Sequence, residues 1–188
     1  MSNSAVAMAP HIRWMIRRDM NEVMEIERAS FEFPYSESDV IRLLLQRNFI
    51  GMVADCDGVV AGFMIYALYG DEIHLHDIAV HPDCRGLGLF RAMLNQLGSK
   101  LSTARRRRIL TDVRETNIGA QKAFAACGYT CVGTVPAPYE EVDEDGLRFI
   151  CEPSALEHVV GRRFAPLAFR LTPRLEDDGI HGDAMGAC

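Results

Sequence analysis

No stretch of the chain approaches the roughly 18 consecutive apolar residues of a membrane-spanning helix, so no transmembrane segment is expected. Met1 to Pro10 carries neither a basic cluster nor a long apolar run, which argues against a secretory signal. Basic residues are too few for a broad nucleic-acid-binding face: 20 Lys+Arg stand against 26 Asp+Glu, a net charge of −6. There is no C-x-x-C. The six cysteines (Cys56, Cys84, Cys127, Cys131, Cys151 and Cys188) are scattered over expected strands, helix ends and the C-terminal segment, and are read as reduced thiols. Cys127 and Cys131 lack a second pair at zinc-site spacing. These absences leave a soluble, cytoplasmic globular protein as the expectation, with neither nucleic acid nor membrane as partner.

At 188 residues the chain suits one domain plus tails. A domain of that size buries roughly 68–70% of its unfolded surface and needs no metal or disulfide to fold. The domain is expected over 11–153, with 1–10 as a flexible N-terminus and 154–188 as a C-terminal tail without periodic pattern. His11 to Arg17, with Ile12, Trp14 and Ile16 alternating, predicts a first strand. Asp19, three residues before Glu22, is placed to cap a helix that turns Met20, Val23 and Met24 inward. Ser36 opens a second helix with Val40, Leu43 and Leu44 on its face. Two apolar runs, 50–56 and 59–69, are joined by Asp57-Gly58, a strong hairpin signal.

Residues 73–80 predict a further strand ended by His81-Pro82. From 88 to 101, Phe90, Met93, Leu94, Leu97 and Leu101 recur at helical spacing. A strand at 109–113 follows, then a helix carrying Ala120, Ala123, Phe124 and Cys127 that stops at Gly128. Residues 129–135 and 147–151 close as a hairpin around the acidic loop Glu140–Asp145. Strand 73–80, helix 88–101 and strand 109–113 form a right-handed parallel crossover, and ligands of such units bind beyond the strands' carboxyl ends. Those ends are His81 to Gly88 and Arg114 to Asn117. In the first, Arg85-Gly86-Leu87-Gly88-Leu89 leads into a helix whose free N–H groups and dipole favour an anion. An ordinary strand-to-helix turn would use glycines in the same way. No Walker lysine follows, and the third glycine of a dinucleotide fingerprint is missing.

The segment from Asp77 through Gly88 resembles the acetyl-CoA-binding signature of the GNAT N-acetyltransferases. Val113-Arg114-Glu115-Thr116-Asn117, with Ala120 and Phe124 to Tyr129, is similar to a segment of the ribosomal-protein alanine N-acetyltransferases of RimI type. The resemblance spans about residues 12–152. It implies an α/β (α+β) fold, with a mixed, mostly antiparallel sheet of about seven strands, about four helices, and a central parallel crossover whose strands splay. It further implies that the acetyl-CoA pyrophosphate rests on the turn Arg85, Gly86, Leu87, Gly88, Leu89, Phe90. The pantetheine arm would pair with the backbone of Ile78, Ala79 and Val80, an N–H near Val80 would polarise the carbonyl, and Asn117 would reach the arm. The acceptor amine would attack the thioester directly, releasing CoA.

Two departures from the family pattern stand out. Phe90 occupies a position where the family has glycine or alanine. At the positions of the RimI-type base and acid stand Asp112, one methylene shorter than glutamate, and Phe124, which cannot donate a proton. A positioned acid or base contributes about 10² to 10⁴ in rate, so loss of the acid slows turnover without abolishing it. Tyr139 is a candidate substitute acid or a wall of the acceptor site, and Glu32 an alternative base. Phe33, Pro34 and Tyr35 match the loop lining the acceptor channel; packing beneath the sheet is the other reading for these aromatics.

Other features read as bland. His74, His76, His81 and Asp77 do not suggest a metal site, because strict alternation points 74 and 76 away from 77 and 81. Arg105 to Arg108 reads as a solvated edge, with RNA or the CoA 3′-phosphate as the competing reading. The leading functional expectation is direct acetylation of the α-amine of a protein or peptide. A small amine or amino-acid derivative as acceptor, and a catalytically weak acyl-CoA-binding sensor, are the alternatives.

Overall fold

The computed structural model describes residues 10–136 and 144–153, together with the backbone of 169–170. Tyr139, the tip of the acidic loop and nearly all of both expected tails lie outside the described residues. The elements run β1 (His11–Trp14), α1 (Met20–Ser30), α2 (Glu37–Leu44), β2 (Phe49–Cys56), β3 (Val59–Tyr69), β4 (Glu72–Val80), α3 (Leu89–Gly98), β5 (Arg108–Arg114), α4 (Ile118–Ala126), β6 (Thr130–Val135) and β7 (Gly146–Cys151), with a short β8 (Phe169–Arg170). Seven strands follow the order β1-β2-β3-β4-β5-β7-β6, and β8 pairs with β4 off this path. Every neighbouring pair is antiparallel except β4 and β5. The mixed sheet, four α-helices and parallel crossover agree with the expected architecture.

Local chemistry accounts for most boundaries. Asp57 and Gly58 both take positive φ (56° and 87°), the geometry that lets a two-residue turn follow the twist of β2 and β3. Ser36 Oγ accepts the Asp39 N–H while Asp39 Oδ2 accepts the Ser36 N–H, a reciprocal cap that starts α2. The first strand is shorter than expected and yields to a 3-10 turn at Arg17–Asp19. Asp19 also departs from its expected role, since its side chain caps nothing in α1. It turns back instead to accept Arg13 Nη1 at 2.7 Å, Nη2 at 2.9 Å and the Ile16 N–H at 2.9 Å. Arg13 Nε reaches Asp55 at 2.8 Å, so one guanidinium ties β1, β2 and the entry to α1 together.

Two apolar layers cover the sheet. On one face, Val23, Ile26, Val40 and Leu43 from α1 and α2 pack with Val53, Phe63, Ile65 and Ala79. On the other, Phe90, Met93, Leu94 and Leu97 of α3 and Ala120, Ala123 and Phe124 of α4 pack with Ile73, Leu75, Ile78, Val80, Ile109, Val113 and Phe149. Each fully buried side chain of this size contributes roughly 1.5–3 kcal/mol of transfer free energy, which fixes both crossover helices against the strands whose ends they extend.

Candidate active site

The β4–β5 ladder holds only three register pairs, Glu72 with Arg108, Ile73 with Ile109 and His74 with Leu110. Beyond them the two parallel strands separate: Thr111 Oγ1 of β5 still donates to the Leu75 carbonyl at 3.3 Å, and the edge of β4 from His76 to Val80 faces a cleft instead of β5. The pairing of β4 with β3 skips a residue at the same level: Ile65 opposes Asp77 and Tyr66 opposes Leu75, leaving His76 bulged. Strict alternation therefore fails here. Leu75 and Ile78 both join the α3/α4 core, three residues apart, which places His76 and Asp77 together on the α1 face. The separation of 74 and 76 from 77 expected from alternation is thus overturned by the bulge. Among the described residues, no group of three His, Cys, Asp or Glu is placed to hold a metal ion.

His76 is 8% exposed, with its ring 4.8 Å from that of Phe49, and its buried Nε2 has no hydrogen-bond partner among the described residues. Burial, with the charge of His74 adding to it, pushes its pKa down to about 4. Opposite the cleft edge, Gly62 of β3 lies so close that a Cβ would stand 2.9 Å from the Ala79 carbonyl oxygen. The cleft edge itself is taken in part by β8, whose Phe169 and Arg170 pair with Ile78 and Asp77.

At the mouth of the cleft, Gly86 and Gly88 adopt φ of 83° and 81°. A Cβ at either would meet nothing within 4 Å, so these glycines serve backbone conformation rather than close packing. Gly88 is the N-cap of α3, and Ala92 donates back to its carbonyl at 3.0 Å. Leu89, Phe90 and Arg91 form the first turn of α3, the end at which the helix dipole favours an anion. Arg85 folds over the turn, its Nε 3.4 Å from the Val80 carbonyl and its Nη2 3.5 Å from Ser30 Oγ. The Phe90 ring is turned inward, 2% exposed, and meets Phe124 edge-on at 5.4 Å between centroids. Its bulk occupies the core between α3 and α4 and leaves its own N–H at the turn. Phe124 is completely buried, with Tyr129 and Phe149 at 5.0 and 6.0 Å on its other sides.

On the opposite sheet face, Leu110, Asp112 and Arg114 of β5 alternate with the buried Ile109, Thr111 and Val113. Asp112 sits directly across from Arg148 of β7, and Arg148 donates through Nε and Nη2 to the two carboxylate oxygens, each at 2.7 Å. Asp112 holds the Arg148 guanidinium more firmly protonated than usual. Two residues on, Arg114 Nε lies 2.7 Å from Glu144, which also accepts the N–H and hydroxyl of Thr116 at 2.8 and 2.6 Å. Burial works to raise the Glu144 pKa, but these hydrogen bonds outweigh it and hold the carboxylate ionised. Arg114 Nη1 also stands 3.5 Å from Glu32, an exposed carboxylate in the α1–α2 loop.

That loop carries Phe33, Pro34 and Tyr35. Phe33 and Pro34 are exposed, whereas Tyr35 is half-buried against the α1/α2 core and donates its N–H to Glu27 at 2.7 Å. Tyr35 therefore packs beneath the sheet, and Phe33 and Pro34 do not. Asn117 caps α4, its Oδ1 accepting the Ala120 N–H at 3.0 Å, which fixes the side chain and leaves its amide NH₂ to donate to a ligand. Ile78, Ala79 and Val80, the Arg85–Phe90 turn and Asn117 gather around the cleft, and Asp112 lies on the other side of the same sheet region. Arg114, Glu144 and Arg148 were not anticipated as parts of the site. Arg148 carries no local signal, because its role depends on the β5–β7 register.

The Acetyltransferase (GNAT) family model matches residues 20–129. An uncharacterized N-acetyltransferase of Methanocaldococcus jannaschii is 30% identical over 77% of this chain and 93% of its own length. The ribosomal protein bS18-alanine N-acetyltransferase of Salmonella typhimurium is 29% identical over 59% of this chain and 74% of its own. The crystal structure of the ribosomal-protein-S18-alanine N-acetyltransferase from Escherichia coli superposes with a TM-score of 0.67 at 24% identity, covering 77% of this chain and 94% of that one. With a family model spanning more than half of its length, a cleft opened by splayed parallel strands and a helix N-terminus at the cleft mouth, this chain belongs to the GNAT acetyltransferase family.

Proposed function

We propose that the protein transfers an acetyl group from acetyl-CoA directly to the α-amine of a protein or peptide N-terminus. The observation that carries this reading is the cleft: pairing of β4 with β5 ends at His74, so the Ile78 to Val80 edge has no β5 partner and, once β8 yields its pairing at Ile78, suits an extended amide-bearing arm. The N–H groups of Leu89 to Arg91 and the strand-to-helix turn before them suit the pyrophosphate. Asn117 borders the arm, whereas Phe124, expected at the cofactor, is wholly buried against Phe90, Tyr129 and Phe149 and stands behind it. The acceptor enters on the opposite face, between Phe33, Pro34 and Tyr35 and Asp112. The bS18-alanine activity in the Salmonella relative's name supports an α-amine acceptor.

In the reaction, the amine nitrogen bonds to the thioester carbonyl carbon and the C–S bond breaks, sulfur leaving with the electron pair. The nitrogen loses one proton to Asp112, directly or through a water, and the CoA thiolate takes one from solvent. An α-amine has a pKa near 8, so a sizeable fraction is already neutral at pH 7, and the demand on the base is modest. Holding amine and thioester together is the larger contribution.

The test is CoA release from acetyl-CoA with a panel of N-terminal peptides against free amino acids and small amines. Peptides ending in different first residues should give the higher kcat/KM, with mass added at the α-amine. Small amines exceeding every peptide would replace the acceptor class, and acetyl-CoA binding without transfer to any acceptor would reduce the protein to a CoA-binding module.

A further inference from the structure

Asp112 is held by one partner among the described residues, and the way it is held assigns a role to that partner. Arg148 Nε and Nη2 reach Oδ1 and Oδ2 at 2.7 Å each, a fork on a fork. Two planar groups joined by two parallel bonds cannot turn independently, so the carboxylate plane is fixed relative to the β5–β7 ladder. A carboxylate offers about four lone-pair directions, and the fork uses two of them. The side chains are 42% and 23% exposed for Arg148 and Asp112, which leaves the pair reachable by a solute from the acceptor face.

The other charges near the pair make their ion pairs elsewhere. Glu72 of β4 pairs with Arg108 of β5 and with His74 of its own strand, while its charge also favours the Arg148 cation. Arg114 is shared by Glu144 and Glu32. Arg148 is therefore the cation dedicated to Asp112, and a lysine there would supply charge without the planar fork.

We propose that Arg148 is a positioning residue for acetyl transfer, fixing Asp112 in the one orientation in which its remaining lone pairs meet the N–H of the attacking amine. Arg148 itself touches neither acetyl-CoA nor the acceptor and stays protonated throughout. The proton leaves nitrogen for Asp112 or its bound water as the N–C bond forms and the C–S bond breaks. This role rests on the reading of Asp112 as the acceptor-side carboxylate.

The experiment compares wild type, D112N, R148M, R148K and the D112N/R148M double variant, in kcat and KM for a peptide acceptor and in acetyl-CoA affinity by calorimetry. Thermal unfolding of each variant checks the fold. R148M should lower kcat by about 10- to 100-fold, the range of a mispositioned acid–base group, with acceptor KM and acetyl-CoA Kd within about threefold of wild type. R148K should fall between the two, because it restores charge and not orientation. In the D112N background R148M should cost nothing more.

Wild-type kcat in R148M, alongside a crippled D112N, would overturn the inference while leaving Asp112 in the mechanism. So would losses in the two single variants that multiply in the double. Wild-type turnover in D112N would instead remove Asp112 from the reaction and the reading beneath this one with it.

Discussion

Restoring the missing hydroxyl at position 124 is the perturbation that best separates a ring lining the thioester from a ring filling the core. Phe124 is completely buried, with ring centroids of Tyr129, Phe90 and Phe149 at 5.0, 5.4 and 6.0 Å. Its surroundings already strain to hold one hydroxyl: Tyr129 Oη is buried with no hydrogen-bond partner among the described residues, and burial drives its pKa well above the ordinary value. A second phenol in this cluster takes a donor out of water without a partner, at about 1–3 kcal/mol. For a chain of this length each kcal/mol moves the melting midpoint by about 2–4 °C, so F124Y should melt roughly 2–12 °C lower. A correctly placed acid would raise kcat by a factor of about 10² or more, whereas a hydroxyl trapped in the core should leave kcat within about threefold. The assays are thermal unfolding by circular dichroism and steady-state CoA release. A tenfold or greater rise in kcat with an unchanged midpoint would refute the reasoning, because the hydroxyl would then be reaching the leaving sulfur.

Four other perturbations probe the cleft and the sheet around it. G62A sets a methyl 2.9 Å from the Ala79 carbonyl and 3.2 Å from Met93 Cε, so it should cost about 1–3 kcal/mol and weaken acetyl-CoA binding several-fold by shifting the Ala79–Val80 backbone; equal stability and affinity in a calorimetric comparison would show that the close approach is not needed. His76 is pushed from its ordinary 6.5 down to about 4 in the folded chain, so between those values only the unfolded chain binds the proton and stability falls as pH drops, by about 3 kcal/mol at pH 4. Urea unfolding at pH 7.5 and 4.5 should show that part of the loss in wild type and not in H76L. Asp19 and Asp55 lie below their ordinary values through Arg13, so their contribution is complete above about pH 4 and is lost only at more acid pH. Finally, β8 pairs with Asp77 and Ile78 and so overlaps, at Ile78, the Ile78–Val80 edge proposed for the pantetheine arm, and two partners cannot use one set of backbone groups. Truncation after Pro153 should therefore tighten acetyl-CoA binding several-fold, and an unchanged Kd would show that the two do not compete.

The element order was legible because its signals are local. The positive φ at Asp57-Gly58, the Ser36 cap and the stop at Gly128 (φ 87°) each depend on a few adjacent residues. What sequence periodicity could not supply was anything fixed by pairing across strands. Asp19, 2% exposed, looks like a helix cap in sequence, yet it is claimed by Arg13, which lies close in the chain but reaches it only once β1 has paired with β2. The bulge at His76 has no signature of its own and exists because β3 and β4 go out of step there. One skipped residue reverses the facing of every side chain after it, so alternation read Asp77 onto the wrong side. Arg148 was invisible for the same reason: its partner lies 36 residues away and faces it only in the observed β5–β7 register.

The departures from the family pattern also look different once neighbours are known. Taken singly, an aromatic at position 90 crowds a glycine site, a phenylalanine at 124 forfeits an acid, and an aspartate at 112 falls a methylene short. In the folded chain Phe90 and Phe124 are one contact, edge to face and both buried, so the larger residue in α3 is accommodated by a ring with no hydroxyl to satisfy. Asp112 and Arg148 are likewise one unit, in which a short, stiff carboxylate gains from the opposite strand the fixed orientation that a longer side chain would need other partners to acquire. Each unit is self-consistent and each would be damaged by restoring one member alone. An exposed pair of ordinary geometry contributes about 0–1 kcal/mol to stability, but a bidentate, partly buried one contributes more, so the fork both ties β5 to β7 and fixes the carboxylate plane of Asp112.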